Sequence, residues 1–201
     1  MVDSNNVYSI IREIKEYADR NNVPIMMDEG INFLTTYIIK NKVKNILEIG
    51  TAIGFSAIMM CLCNPNVTVT TIERDEKRYL EALKNIKKLK LEDRITLIYN
   101  DALDVRLDEK YDLIFIDAAK AQNQRFFEMF EKNLKPHGTI ITDNMSFHGL
   151  TEKKEEEIES KNVRALVRKV KEYKVFLEEN IKFTTNFYNV GDGIAVSIKN
   201  K

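Results

Sequence analysis

Cysteine is nearly absent from this 201-residue chain. The two present, Cys61 and Cys63, are one residue apart, a spacing that suits neither a zinc knuckle nor a redox Cys-x-x-Cys motif. A disulfide framework is excluded, and their apolar surroundings (58–63) read as buried free thiols in a helix. Net charge is missing too: 31 Lys and Arg balance 31 Asp and Glu. That balance removes the whole-molecule cationic field of a nonspecific nucleic-acid coat, so a nucleic-acid partner would need a local basic patch. No apolar window approaches the roughly 18 residues needed to cross a bilayer. The opening residues carry neither a basic nor an apolar export signal, so a cytoplasmic protein without a membrane partner is expected. Only three prolines occur, scattered, and no Pro/Gly-rich linker divides the chain. One domain over 1–201 is expected, with 1–24 as an N-terminal helical extension.

What is present is globular composition, 44% hydrophobic and 31% charged, arranged as an alternation of helices and short strands. Helical spacing of Val7, Ile10, Ile11, Ile14 and Tyr17 predicts a helix over 4–22, with Ser4 as a candidate N-cap and Pro24 ending it. A second helix is expected over 28–40. Strands are expected at 45–49, 67–72, 95–99, 111–116 and 139–142, separated by helices at 55–63, 75–90 and 122–133. Nearly all-apolar strands between helices indicate a parallel sheet covered on both faces. A charged helix over 151–179 then leads to strands 182–189 and 194–198 around the turn Val190-Gly191-Asp192-Gly193, a β-hairpin. The expected fold is α/β, a mostly parallel seven-stranded sheet with an antiparallel C-terminal hairpin.

Chemistry-bearing residues collect where strands end. The first junction reads Glu48-Ile49-Gly50-Thr51-Ala52-Ile53-Gly54-Phe55-Ser56, and its glycines permit a tight turn and close approach of a ligand to the backbone. A dinucleotide fingerprint would be G-x-G-x-x-G; this loop is G-x-x-x-G, which argues against an NAD-dependent oxidoreductase. Glu73 follows the second strand, where a carboxylate can accept the hydroxyls of a ribose or simply cap the next helix. Asn100-Asp101-Ala102 follows the third and suits an adenine amino group. Asp117 ends the fourth strand, and Asp143-Asn144 the fifth. If those two strands are neighbours, two carboxylates and an amide oxygen converge, a hard-oxygen set suited to Mg²⁺, Mn²⁺ or Ca²⁺. Lys120 lies three residues past Asp117, and a neighbouring divalent cation would tune it towards a general base. His148 reads as a loop histidine on the substrate side and His137 as a turn residue. On the last helix Arg164, Arg168 and Lys171 share one face, a solvated face by default or a phosphate-contacting patch.

The series ILEIGTAIGFSA, TIERDE, NDAL, FIDAAKAQ, ITDNMSFHG and VGDGIAVS resembles the class I, S-adenosylmethionine-dependent O-methyltransferases of the metal-dependent catechol and caffeoyl-CoA type. Within that group DAAKAQ, DNMSFHGL and the final VGDG are most similar to bacterial tRNA 5-hydroxyuridine methyltransferases. The resemblance implies a Rossmann-like methyltransferase fold. It also implies cofactor contacts at Ile25, Glu48, Gly50, Phe55, Ser56, Glu73, Asp101, Ala102 and Asp117. Metal ligands would be Asp117, Asp143 and Asn144, with Lys120 as the base and Asp117 also catalytic. The implied reaction methylates the 5-hydroxyl of wobble 5-hydroxyuridine in tRNA, the alternative acceptor being a small catechol or hydroxycinnamoyl-CoA. A homodimer is implied as well. The tRNA reading calls for a basic surface from Lys120, Arg125, Arg164 and Arg168.

Overall fold

The computed structural model describes residues 4–200. Helix α1 (Ser4–Asn21) and α2 (Asp28–Lys40) precede β1 (Asn45–Ile49), α3 (Phe55–Leu62), β2 (Thr68–Glu73), α4 (Glu76–Lys88), β3 (Ile95–Tyr99) and β4 (Tyr111–Ile116). Then follow α5 (Asn123–Phe130), β5 (Leu134–Thr142), α6 (Lys161–Glu179), β6 (Phe183–Tyr188) and β7 (Ile194–Lys199). The capping role expected of the Ser4 side chain lies outside the described side chains.

The seven strands form one sheet in the order β3-β2-β1-β4-β5-β7-β6, parallel except where β7 runs antiparallel to β5 and β6. Alternation along each strand divides the core into two layers. Ile46, Val69, Leu113, Phe115 and Val196 point into one, with α1 through α4 supplying Ile14, Leu34, Ile58 and Ile86. Leu47, Ile114, Ile116 and Ala195 point into the other, against Phe126, Phe127 and Phe130 of α5 and Tyr173 and Leu177 of α6. Both faces are therefore buried, which is why these strands read as unbroken apolar runs. Cys61 is buried within α3 and Cys63 is half-buried just past it, both as free thiols.

Most element starts fall within a residue of expectation, and two lie further off. The last helix starts at Lys161 rather than at 151. Thr151 spends its hydroxyl and its N–H on the Ser146 carbonyl, closing a turn. Ser160 instead caps α6 by accepting from the Val163 N–H. Strand β5 starts at Leu134, earlier than 139, because a bulge shifts its register between Tyr111↔Leu134 and Leu113↔Thr139. His137 sits in that bulge at φ +59, a turn-like residue inside a strand.

Chain direction and register fix the site. Ile49 pairs with Ile72 and Ile116, and Ile116 with Thr142, so the carboxyl ends of four strands lie side by side. The ladder continues one residue further: Asp117 N–H bonds Ile49 O at 3.0 Å, Asp143 N–H bonds Ile116 O at 3.1 Å, and Asn100 N–H bonds Glu73 O at 3.0 Å. The order reverses between β1 and β4, the switch point where an open α/β sheet leaves a crevice.

Candidate active site

Gly50 is what lets the crevice close at its base. Its φ is +102°, and a Cβ there would stand 2.1 Å from the Asp117 carbonyl oxygen. No side chain fits between these two backbones. Beneath the loop, Glu48 is fully buried and accepts hydroxyl hydrogens from Ser56 and Thr71. Gly50, Phe55 and Ser56 line the cleft, whereas Glu48 lies below it. The structure thus gives Glu48 a supporting place, holding Ser56 rather than facing a ligand.

Loss of water pushes the Glu48 carboxyl from its usual 4.5 up to about 7, although the Ser56 and Thr71 hydroxyls pull the other way. Because the folded-state value lies above the unfolded one, its stabilising contribution is full below about pH 4.5 and is lost as pH rises through 7. Gln at this position can accept one hydroxyl and donate to the other. Glu48→Gln is therefore expected to melt higher than the wild type at pH 8 and to have no advantage at pH 4. Thermal melts at the two pH values check this.

Glu73, the last residue of β2, is a rigid acceptor aimed into the same cleft. Its Oε2 accepts from Ala52 N–H at 2.8 Å, and Oε1 from Arg74 and Asp75 N–H at 2.9 and 2.8 Å. Capping of α4 falls to Asp75, which accepts from Arg78 N–H, so Glu73 is not spent on that task. Three of roughly four acceptor positions on the carboxylate are filled, leaving one for a ligand hydroxyl. Asp101 accepts from Leu103 N–H at 2.9 Å and from Arg74 at 3.2 Å, and these bonds hold its carboxyl below the usual range. Ala102 and Asn100 complete that wall, and Ile25 faces it from the segment Pro24 to Met27. The cleft measures about 390 Å³.

At its other end the second set of predicted residues converges. Asn144, at φ +65, points its amide nitrogen at Asp117 Oδ1 (2.9 Å) and Asp143 Oδ2 (3.2 Å). Burial raises the pKa of both carboxyls, and each feels further negative charge nearby, Asp192 for both and Asp117 for Asp143. Two carboxylates side by side, Asp143 buried and Asp117 half-buried, bridged by a single neutral amide donor, occupy the kind of place a cation fills. Rotating the amide by 180° presents its oxygen instead, and O and N there are assigned from the network rather than seen. Two carboxylates and an amide oxygen then fit a hard divalent ion. Among the described residues no cluster of three or more His, Cys, Asp or Glu is placed to hold a metal; this set has two carboxylates. Lys120 also lines the cleft, its ammonium 5.2 Å from the centre of the Phe147 ring.

Several cleft residues went unread in the sequence: Asp192, Arg74, Arg78, and Met26 and Met27 beside the expected Ile25. Asp192 passed as a hairpin turn residue. Its place follows from the antiparallel pairing of Thr142 with Ala195, which puts the β6–β7 turn at the carboxyl end of β5. His148, expected on the substrate side, does line the cleft. On α6, Arg168 is exposed and Arg164 half-buried, while Lys171 donates to the Lys153 carbonyl at 3.3 Å.

With this arrangement in view, the chain's likeness to known proteins is informative. It matches the O-methyltransferase family model over residues 2–200 and belongs to that family. A Staphylococcus aureus structure provisionally described as a caffeoyl-CoA O-methyltransferase is 40% identical, covering 98% of this chain and 100% of its own, with a TM-score of 0.89. The O-methyltransferase from Bacillus cereus, solved in complex with SAH, is 26% identical over 96% of this chain and 91% of its own, with a TM-score of 0.81. A flavonoid 3',5'-methyltransferase of Vitis vinifera is 26% identical over 92% of this chain and 81% of its own. Among the described residues, no helix is long and apolar enough to cross a membrane.

Proposed function

We propose that this protein transfers a methyl group from S-adenosylmethionine to a hydroxyl of a small aromatic acceptor bearing two adjacent oxygens, a catechol or hydroxycinnamoyl type. The observation that carries this reading is one continuous cleft with two chemically different ends. The glycine loop, Glu73 and Asp101 occupy one end, and Asp117, Asp143, Asn144 and Lys120 the other. The Bacillus cereus relative holds SAH, which supports assigning the first end to the cofactor.

Methyl transfer from a sulfonium to oxygen is an in-line displacement, so aligning the two partners is the main task. Gly50, Phe55 and Ser56 hold the donor from below, and Glu73 fixes its ribose. A divalent ion held by Asp117, Asp143 and Asn144 would lower the pKa of an acceptor hydroxyl bound to it. Lys120, as the neutral amine, would take the proton from that hydroxyl. The ring of Phe147 lies under its Nζ and limits where it can reach.

The acceptor expected first, 5-hydroxyuridine in tRNA, offers equivalent oxygens through its 5-hydroxyl and 4-carbonyl. Support nevertheless favours the small molecule. The relatives above are named for caffeoyl-CoA and flavonoid acceptors.

Purified protein assayed with S-adenosylmethionine against catechols, hydroxycinnamoyl thioesters and undermodified tRNA tests the assignment. Methylation of a vicinal diol, lost on chelation and restored by Mg²⁺, is the expected result; turnover of tRNA alone would overturn it. In the same assay Lys120→Ala should lose rate most at low pH, where unassisted ionisation of the hydroxyl is scarce.

A further inference from the structure

The turn between β6 and β7 holds the acceptor end of the cleft together. Asp192 Oδ1 accepts from Ser146 Oγ at 2.8 Å and from the backbone N–H of His148. The Asp192 carbonyl takes Ser146 N–H at 2.8 Å, and that of Gly193 takes Met145 N–H at 2.9 Å. On its far side the turn rests on α2, where a Cβ at Gly191 would lie 3.5 Å from the Gly30 nitrogen. The segment so held is conformationally costly. Asn144, Phe147 and His148 have φ of +65, +47 and +56, and Gly149 follows at +74. Three non-glycine residues in that region are strained and persist only where the surroundings fix them. The same segment carries Asn144 and sets Phe147 beneath Lys120.

One oxygen of Asp192 is left over. Oδ2 is buried and has no hydrogen-bond partner among the described residues, in a side chain only 6% exposed. A buried acceptor left without a donor has lost its water and gained nothing in exchange. Above it stands the His148 imidazole, Nδ1 3.6 Å from Oδ2, with its side chain 72% exposed. Asp192 and His148 both line the cleft. A small rotation brings Nδ1–H onto Oδ2, and the neutral ring then presents Nε2 as an acceptor towards the cleft.

We propose that Asp192 is a positioning residue that clasps the 145–149 segment over the acceptor end of the cleft and orients His148, whose Nε2 accepts a hydroxyl hydrogen of the acceptor. The acceptor's chemistry rests on the function proposed above; the clasp does not. His148 thus becomes a specificity-determining side chain, selecting acceptors with a hydroxyl within its reach.

The test uses His148→Ala, Asp192→Asn, Asp192→Ala and the double variant His148→Ala/Asp192→Asn. Asn keeps an oxygen for Ser146 and the His148 N–H but replaces the oxygen facing the ring with a donor. In hydrogen exchange, the His148 amide should exchange at least about tenfold faster in Asp192→Ala and be unchanged in Asp192→Asn; Asp192→Ser replaces Asp192→Ala if the latter does not fold. SAH affinity by calorimetry should be unaffected in His148→Ala. With a catechol acceptor, His148→Ala and Asp192→Asn should each raise KM about tenfold with kcat held within about threefold, and the double variant should be no worse than either single. An unmoved KM in His148→Ala, additive losses in the double variant, or an unchanged exchange rate in Asp192→Ala overturns the proposal. Wild-type protein inert towards every catechol, with exchange behaving as expected, would sink the acceptor assignment and support the clasp.

Discussion

Asp143→Ala is expected to lower kcat/KM for a catechol acceptor by ~10³-fold or more while leaving SAH affinity within about threefold. The asymmetry comes from where Asp143 lies. It ends β5, one strand further than Asp117 from the glycine loop of β1, and its hydrogen-bond partner is Asn144, on the acceptor side. Removing it takes away one of the two carboxylates that converge there, and a single preorganised charge of this kind is worth several kcal/mol in a transition state. Asp117 differs because it packs against the glycine loop at Gly50, so its side chain springs from the junction of the cleft's two ends. Asp117→Ala should therefore lose turnover and weaken SAH binding together. Unfolding is not the cause in either case. Both carboxyls have raised folded-state pKa values through burial, so ionising them opposes folding at neutral pH and above. Metal-free Asp143→Ala should melt no lower than the wild type at pH 8, and initial rates beside calorimetry and a thermal melt separate these effects. Turnover that survives the substitution would remove the acceptor end from the chemistry.

The sequence is most legible where physics leaves one option. Strands 45–49, 95–99 and 111–116 match β1, β3 and β4 to the residue: β1 and β4 are buried on both faces and so read as apolar runs bounded by polar breakers, and the edge strand β3 reads from its β-branched and aromatic residues. The C-terminal hairpin was readable from its Gly-Asp-Gly turn for a related reason: few other residues make that reversal. Convergence of Asp117, Asp143 and Asn144 followed once β4 and β5 were taken as neighbours, since parallel strands end on the same edge. The start of α6 was not legible, because the polar 151–160 stretch has no apolar face to betray its turns, and Ser160 closes a charged run that itself reads as helix. Nor was the bulge in β5, which depends on register against β4. Asp192 was hidden by its own motif. A turn aspartate has a sufficient local explanation, and only the pairing of β7 with β5 shows that it also reaches the cleft. Glu48 is the opposite case, named within a ligand-facing loop but turned inward, onto the Ser56 and Thr71 hydroxyls.

Gly50→Ala should be the most damaging single-methyl change in the cleft. The added Cβ would meet three backbone atoms: Asp117 O at 2.1 Å, Asp117 C at 2.9 Å and Ala118 Cα at 3.2 Å. Backbone cannot rotate aside as a flexible side chain can. Relief requires β1 and β4 to part at their carboxyl ends, stretching the bond from Asp117 N–H to Ile49 O. Alanine at φ +102 adds its own strain, since L-residues avoid that region. Strain and overpacking each cost about 1–3 kcal/mol, so a total of roughly 3 kcal/mol or more is expected. At about 2–4 °C per kcal/mol for a chain of this size, the melting temperature should fall by ~6–12 °C. Cofactor affinity should fall with it, on the order of 100-fold, because the displaced loop carries Phe55 and Ser56 and the displaced strand carries Asp117. Two other glycines calibrate the effect. At Gly54 (φ +86) the nearest atom is the Ala82 Cβ at 3.4 Å, and at Gly149 (φ +74) nothing lies within 4 Å, so backbone strain dominates there. Thermal melts should rank the three alanine variants with Gly50 far the worst, and only Gly50→Ala should lose SAH in calorimetry by so wide a margin. Should Gly50→Ala bind SAH like the wild type, the glycine loop and Asp117 do not form a common floor, and the cleft's two ends are not joined as described.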